Sequence, residues 1–265
     1  MRLGQIRFEN KLTAALFEDG MARPVPGYSM VELIRKAETE ALALPVLAEQ
    51  MASRHGEVSK PYIPICPVEV WGCGGTYDTG GNVAAPSRPR IFLKGTARVC
   101  VGPDQPIGIR FDSKFTAAEP ELAAVLGRKG KVVGYTLAND VSAWDIEREN
   151  PLYFPQSKIY TGSCALGPVI VPAGEMPEIG RLEMTCTIRR GDKELFSGSV
   201  SLAGLRQMDL LIEYLLRANP VPAGSVLLTG TGISIPEEAA LAPGDTVLIR
   251  IPEIGELSNP AAIVQ

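Results

Sequence analysis

The sequence predicts a mixed, predominantly β fold, in which a β-sandwich or barrel-like core follows a small N-terminal α+β module. Short apolar segments with strand-like patterns recur after residue 60, among them IFLKG, IGIRF and DTVLIRI. Few stretches show the apolar periodicity of a helix. Many short strands with few helices are typical of packed sheets rather than of a helical bundle.

The predicted N-terminal module covers residues 1–60. It opens with two strand-like segments, GQIRF and TAALF. The sequence Ser29-Met-Val-Glu32 then predicts a capping box that begins a helix running toward Pro45. A proline-rich stretch, 61–71, marks the expected boundary. We therefore predict a small domain over residues 1–60 and a larger, β-rich domain over residues 61–265.

Three local patterns organise the larger domain. Apolar and polar residues alternate over 182–189 and predict a strand with one side in solvent. An apolar stripe from Leu205 to Leu215 predicts a helix that ends before Asn219-Pro220. Ser142-Ala-Trp-Asp145 predicts a second capping box and gives Asp145 a structural role.

The charge and the apolar pattern exclude two classes of partner. A net charge of -4 over 265 residues argues against nucleic acid or an anionic membrane surface as the main partner. No apolar run approaches the ~18 residues of a membrane span, and the first residues lack the apolar region of a signal peptide. We expect a cytoplasmic protein.

Histidine and cysteine chemistry is also disfavoured. The one histidine, His55, lies in a polar stretch without a second imidazole, which argues against zinc. The five cysteines form no CxxC motif, and we expect reduced, buried thiols. A cysteine nucleophile such as Cys164 would need a nearby histidine base, so a thiol mechanism is rejected.

A β-hairpin is predicted from two apolar segments, 122–126 and 132–138, which flank the basic, glycine-containing turn GRKGK. With the turn centred in this stretch, Glu119 falls opposite Asn139 and next to Asp140. Acidic residues from both strands are therefore expected at one end of the hairpin.

Glu119, Glu121 and Asp140 form this acidic group. The spacing of two places both glutamate side chains on one face of an extended segment, and Pro120 disfavours a helix there. At ~4 Å and an effective dielectric of about 20, each like-charged pair costs on the order of 4 kcal/mol. The cluster must therefore bind protons or a metal ion, and we favour the metal. Oxygen ligands suit Mg²⁺, Mn²⁺ or Ca²⁺.

Two glycine-rich stretches, 71–81 and 227–234, each contain GxG. Neither completes the GxGxxG pattern of a dinucleotide site, and neither opens a helix. Their glycines either form ordinary turns or let backbone amides approach a small anionic ligand. In the second case Gly230, with a hydroxyl from Thr229 or Thr231, would contact that ligand.

The stretch GYTLANDVSAWDIERENPLYFPQSKIYTGSCALGPVIVP (134–172) resembles the fumarylacetoacetate hydrolase superfamily. The segments PVEVWGCGGTY, AAEPELAAVLG and SVLLTGTGIS follow the family's order, so that the resemblance covers roughly residues 62–265. Within the superfamily, ENPLYFPQSKIY is most similar to the 2-keto-3-deoxy-pentonate dehydratase branch. Members of that branch remove water from 2-keto-3-deoxy-D-arabinonate or its xylonate relative.

The resemblance implies a β-rich roll as catalytic domain, a homodimer or higher homo-oligomer, and a Mg²⁺ or Mn²⁺ ion. On matching positions, Glu119, Glu121 and Asp140 would be the metal ligands. Lys158 would line the active site, and Thr231 would contact the carboxylate of a small 2-oxo acid substrate.

The chain departs from the family pattern at three places. Trp144 replaces the arginine of the family's DVSARD motif, and Arg148, one helical turn away, is our candidate for a substitute guanidinium. Glu147 stands where hydrolase members often have glutamine, and it is a candidate proton carrier. The segment 78–90 is short and lacks the lid helix that carries the His-Glu water-activating pair of several hydrolases.

The reaction implied by the resemblance is enolate formation from a 2-oxo acid. The substrate's carboxylate and keto oxygens would chelate the ion while Glu147 or Lys158 removes a proton from C3. Loss of the 4-hydroxyl would complete a dehydration. The alternatives are hydrolysis of an acylpyruvate or fumarylacetoacetate-type C–C bond, decarboxylation or isomerisation of a 2-oxo acid, and a binding protein with a decayed site.

Overall fold

A computed structural model describes residues 1–77 and 88–265 of the chain. The predicted short segment 78–90 therefore lies mostly outside the described residues. Within the described ranges, no helix is long and apolar enough to cross a membrane.

The described residues form seventeen strands and five α-helices. In chain order from β1 to β17, the strands are Arg2–Phe8, Lys11–Glu18, Met21–Pro24, Val70–Gly74, Arg90–Gly95, Cys100–Val101, Ile107–Arg110, Thr116–Ala117, Pro120–Leu126, Val132–Asp140, Ser142–Ala143, Cys164–Pro172, Glu183–Arg190, Lys193–Ser201, Ser225–Leu228, Asp245–Ile251 and Gly255–Val264. The helices α1 to α5 are Met30–Thr39, Leu44–Met51, Trp144–Glu149, Phe154–Lys158 and Met208–Leu216. Short 3-10 turns lie at Ala97–Val99, Arg128–Gly130, Pro151–Tyr153, Ala173–Glu175, Ile179–Arg181, Leu202–Gly204 and Glu237–Ala239.

The strands form one large sheet, one smaller sheet and a two-stranded pair. The large sheet has ten strands in the order β3-β2-β1-β12-β10-β9-β15-β4-β5, with β6 paired to β12. The smaller sheet has five strands in the order β14-β13-β16-β17-β7, and β8 pairs with β11. The predicted predominantly β fold is confirmed.

Apolar side chains between the two main sheets form the largest core. Leu122 and Leu137 from the large sheet share this core with Met184, Val247 and Leu257 from the smaller one, and all five are buried. Alternating apolar residues on each strand make this contact possible because successive side chains point to opposite faces of a sheet. The molecule is therefore a sandwich of two sheets, and helices cover other parts of the large sheet.

The N-terminal capping box is confirmed, but the helix that follows is shorter than predicted. The Ser29 hydroxyl accepts from the backbone N–H of Glu32, and the Glu32 carboxylate accepts from the backbone N–H of Ser29. Helix α1 ends at Thr39, and Ala41 then adopts a positive φ of 53°. Pro45 lies in the first turn of a separate helix, α2, where its missing N–H leaves no helical hydrogen bond unmade.

Residues 1–60 join the large sheet. Strand β1 pairs with β12 at Leu3 and Ile170, and helices α1 and α2 pack their apolar sides on the same sheet. The division of the chain at residue 60 into two domains stays a prediction.

The hairpin of β9 and β10 is confirmed, with a register one residue away from the predicted one. Pro120 pairs with Asn139, and the backbone N–H of Asp140 donates to the backbone carbonyl oxygen of Glu119 at 2.9 Å. A register shift between Val132 and Gly134 is the cause, because one extra residue in β10 moves every later pair by one. Glu119 therefore faces Asp140 directly instead of Asn139.

The second predicted capping box, at Ser142–Asp145, is wrong. Ser142 belongs to strand β11, its hydroxyl donates to the backbone oxygen of Asp140, and helix α3 has no side-chain cap. Asp145 is structural in another way. Its carboxylate accepts hydrogen bonds from the Ser113 hydroxyl and the Lys114 backbone N–H, both at 2.7 Å, and ties α3 to the preceding loop.

Candidate metal and substrate site

Three carboxylates meet at the end of the β9–β10 hairpin. One carboxylate oxygen from each of Glu119, Glu121 and Asp140 lies within 4.8 Å of the others. Glu121 and Asp140 are fully buried, and the Glu119 side chain is 12% exposed. The extended backbone around Pro120 and the shifted register place these groups together. The structure thus brings together the three residues that the sequence singled out.

Two buried lysines counter part of this negative charge. The Lys158 ammonium lies 2.9 Å from Glu119, 3.2 Å from Asp140 and 2.6 Å from the Ser142 hydroxyl. The Lys94 ammonium lies 2.5 Å from the other oxygen of Asp140. Burial alone would raise the pKa of Asp140, but Lys158 and Lys94 hold it below its usual value.

Trp144 fixes the outer carboxylate of the cluster. Its indole N–H donates to one oxygen of Glu119 at 2.5 Å, while Lys158 contacts the other oxygen. Phe115 packs edge-on against the indole, with ring centroids 5.3 Å apart. The tryptophan that replaces the family's arginine therefore holds Glu119 in place.

Glu121 is the group that most requires a cation. The backbone N–H of Gly230 donates to one of its oxygens at 2.5 Å, and the other oxygen is buried without a hydrogen-bond partner in the described chain. Burial, and then the charges of Asp140 and Glu119, raise the pKa of Glu121 well above its usual value. A buried, unpartnered carboxylate oxygen beside two more carboxylates fits a hard divalent cation, which binds such oxygens directly.

A pocket of about 190 Å³ adjoins the carboxylate cluster. The predicted residues Glu119, Glu147, Lys158 and Thr231 line it. Its other lining residues are Cys73, Gly74, Gly75, Arg90, Phe92 and Phe154. The two phenylalanines pack edge to face with centroids 4.7 Å apart and form an apolar wall. The pocket therefore combines charged lining residues, Glu119, Glu147 and Lys158, with enough space for a small organic acid.

Different surroundings raise the pKa of Glu147 and the pKa of Lys158. Burial raises the pKa of the half-buried Glu147 carboxyl, whose nearest oxygen is 3.9 Å from the Lys158 ammonium. Burial alone would lower the pKa of Lys158, but the carboxylates of Asp140, Glu119 and Glu147 raise it above its usual value. A raised pKa makes the Glu147 carboxylate a better proton acceptor than an exposed carboxylate.

Of the three predicted substrate contacts, Thr231, Gly230 and Arg148, only Thr231 lines the pocket. Thr231 lines the pocket, and its hydroxyl also bonds locally to Ile233 at 3.2 Å. The backbone N–H of Gly230 is directed at Glu121 instead of the pocket. The Arg148 guanidinium lies over the Trp144 ring at 4.9 Å, in a side pocket shared with Glu119 and Glu147. Contacts of Gly230 and Arg148 with a substrate stay predictions.

Lys94 and Arg90 were missed by the reading of the sequence. Both lie on β5, which is distant in sequence from the hairpin, so no local spacing connects them with Asp140 or Thr231. One feature of the sequence could have identified Lys94, because it is a charged residue inside the apolar segment IFLKG. A fully buried lysine is rare unless it is paired, so that position indicated a buried carboxylate partner.

The chain is similar to known proteins over most of its length. Residues 76–262 match the family model of the fumarylacetoacetate (FAA) hydrolase C-terminal domain. A 2-dehydro-3-deoxy-D-arabinonate dehydratase from Saccharolobus solfataricus is 44% identical over 216 residues, which cover 74% of this chain and 72% of the relative. A probable 2-keto-3-deoxyxylonate dehydratase from Haloferax volcanii is 37% identical over 234 residues, with coverages of 83% and 79%.

Solved structures show the same similarity over the full length of both chains. The apo form of a 2-keto-3-deoxy-D-arabinonate dehydratase superposes with a TM-score of 0.87 at 33% identity. A 2-keto-3-deoxy-D-arabinonate dehydratase complexed with magnesium and 2,5-dioxopentanoate superposes with a TM-score of 0.84 at 34% identity. The resemblance noted from the motifs, including its dehydratase branch, is confirmed.

We expect Trp144→Phe to weaken Mn²⁺ binding about tenfold or more, because groups that orient metal ligands typically contribute that much to metal affinity. The substitution keeps the aromatic packing and removes the N–H that holds Glu119. Calorimetric titration with Mn²⁺ measures the effect. Trp71→Phe is the matched control, since the Trp71 N–H binds Glu69 away from the pocket. Unchanged Mn²⁺ affinity in the Trp144 variant would contradict this role.

Proposed function

The chain belongs to the fumarylacetoacetate hydrolase family, and we propose that it is a divalent-metal-dependent dehydratase of 2-keto-3-deoxy-pentonates. The single observation that supports this most is the cluster of Glu119, Glu121 and Asp140 beside a pocket that Glu119, Glu147 and Lys158 line. The two dehydratase relatives add the substrate class, because both act on five-carbon 2-keto-3-deoxy acids according to their names.

We assign metal binding to Glu119, Glu121 and Asp140, and Mg²⁺ is the expected ion, as in the magnesium complex of the dehydratase with similar structure. A divalent cation held there would polarise the carboxylate and keto oxygens of a 2-oxo acid and favour loss of a proton from C3. Lys94 and Lys158 keep Asp140 ionised and oriented. Trp144 orients the carboxylate of Glu119 through its indole N–H.

We assign proton abstraction from C3 to Glu147. Its raised pKa makes it a stronger base than an exposed carboxylate, and it lines the pocket beside Lys158. The Lys158 ammonium lies 2.9 Å from Glu119 and 3.2 Å from Asp140, and we assign to it the stabilisation of the negative charge that develops on the substrate. The 4-hydroxyl then leaves as water by taking up the proton that Glu147 removed from C3, which also returns Glu147 to its ionised form. Thr231 is our candidate contact for the substrate carboxylate.

The assembly and the compartment are further parts of the proposal. We infer a homodimer or higher homo-oligomer from the family. All five cysteines are free, which suits a reducing compartment such as the cytoplasm.

The proposed reaction is tested with a panel of 2-keto-3-deoxy sugar acids and acylpyruvates in the presence of Mg²⁺, with products identified by mass. We expect loss of one water from a 2-keto-3-deoxy-pentonate and no activity after chelation of the metal. Two smaller acids formed from an acylpyruvate would instead support a C–C hydrolase. Absence of turnover on every acid, with Mg²⁺ bound, would contradict an enzymatic role.

The assignment of Glu147 predicts that Glu147→Gln lowers kcat about a hundredfold or more, which is the usual contribution of a general base. KM and Mn²⁺ affinity should change little, because the variant keeps the size of the side chain and all three metal carboxylates. Glu149→Gln is the control, since Glu149 is an exposed residue of the same helix outside the pocket. Wild-type kcat in Glu147→Gln would exclude this residue as the base.

A further inference from the structure

Arg90, the first residue of β5, lines the same pocket as Lys158 and Thr231. Its guanidinium covers the backbone of Gly75, where a Cβ would collide with a guanidinium nitrogen. Gly75 also has a φ of 63°, so glycine both permits the backbone conformation and leaves room for the arginine. We propose that Arg90 is the cation that pairs with the carboxylate of the bound 2-oxo acid. This inference rests on the proposed function and adds a specificity-determining residue to it.

Neighbouring strand ends bring Arg90 and Thr231 to the same part of the pocket. Strand β15 runs parallel to β4 and leads into the loop that contains Thr231. Strand β4 in turn pairs with β5 through Gly74 and Arg90. Gly74, the last residue of β4, and Gly75, which follows it, line the pocket and carry no side chains. Thr231 is the candidate contact for the substrate carboxylate. Thr231 and the guanidinium of Arg90 thus lie on either side of the two glycines, in the same part of the pocket.

The charge of Arg90 is available to a ligand. Among residues 1–77 and 88–265, no hydrogen bond or ion pair involves its guanidinium. The other cations near the pocket are already engaged: Lys94 and Lys158 by Asp140, and Arg148 by the face of the Trp144 ring. An arginine without a carboxylate partner, in the wall of a pocket with an acidic floor, is suited to an anion that arrives with the substrate.

A charge balance supports the same assignment. Four carboxylates line or underlie the pocket, namely Glu119, Glu121, Asp140 and Glu147. The ammonium groups of Lys94 and Lys158 cancel two of these charges. A divalent cation would cancel the other two. A 2-oxo acid then brings one further negative charge. Arg148 keeps its charge in the side pocket, over the Trp144 ring, and Arg90 is the guanidinium that lines the main pocket.

The chemistry of the guanidinium also fits the carboxyl group. Its planar fork forms two parallel hydrogen bonds with a carboxylate, an arrangement that a lysine cannot reproduce. The uncharged hydroxyls at C4 and C5 of a sugar acid would gain less from a cation. Arg90 is therefore expected to select acids over the corresponding neutral amides or aldehydes.

Pyruvate is the probe that separates the two ends of the substrate, because it carries the carboxylate and keto group but no hydroxyls at C4 and C5. In calorimetric titrations of Mn²⁺-loaded full-length protein, we expect Arg90→Gln to weaken pyruvate binding about tenfold or more, as for loss of a charged hydrogen bond. Arg90→Lys should lie between wild type and Arg90→Gln. Mn²⁺ affinity should be unchanged in both variants.

Arg88→Gln is the matched control. Arg88 is exposed, as Arg90 is, and carries the same charge two residues earlier. It does not line the pocket, so its loss should leave pyruvate affinity unchanged. An equal effect of both variants would reduce the role of Arg90 to general electrostatics and overturn the proposal. Wild-type pyruvate affinity in Arg90→Gln would overturn it as well, even if KM for a sugar acid rose. Wild-type protein that binds Mn²⁺ but not pyruvate would instead contradict the proposed 2-oxo acid function.

Discussion

Buried negative charge is the constraint on which the organisation of the site depends. Glu121 and Asp140 are fully buried, and Glu119 lies beside them. Such a group is unfavourable unless cations or hydrogen-bond donors surround it. Two buried lysines, one indole and one backbone N–H provide that surrounding, and they still leave one oxygen of Glu121 without a partner. This incomplete compensation distinguishes a binding site from a structural ion-pair network.

The scaffold meets this constraint through strand geometry. Three neighbouring strands of the large sheet, β9, β10 and β12, pair antiparallel, and the shifted register between β9 and β10 sets Asp140 opposite Glu119. The two-sheet core locks these strands by packing, so the carboxylates cannot move apart to relieve their repulsion. Loops and short helices then supply Glu147, Lys158 and Thr231 around a rigid floor.

Much of the fold and the centre of the site could be predicted from the sequence because the signals are local. Two apolar segments around a basic, glycine-containing turn predicted the hairpin, and the spacing of Glu119 and Glu121 predicted one shared face. The register was wrong by one because a bulge depends on packing rather than on the turn sequence. The helix after Ser29 was predicted too long because Pro45, taken as its end, begins a second helix.

The remaining site residues could not be predicted because they come from long-range pairing. Arg90 reaches the pocket, and Lys94 reaches Asp140, through the pairing of β4 with β5 and of β15 with β4, which no sequence spacing encodes. From the sequence, Trp144 was interpreted only as a position where the arginine of the DVSARD motif is missing. Its donor role depends on the indole N–H pointing at Glu119, which is visible only in three dimensions.

The most direct test of the account is a crystal structure of the protein soaked in Mn²⁺, examined by anomalous scattering. The account predicts one strong anomalous peak per chain, coordinated by oxygens of Glu119, Glu121 and Asp140, with the previously unpartnered oxygen of Glu121 among the ligands. A chain without a peak there, or with these three side chains turned away from one another, would contradict it.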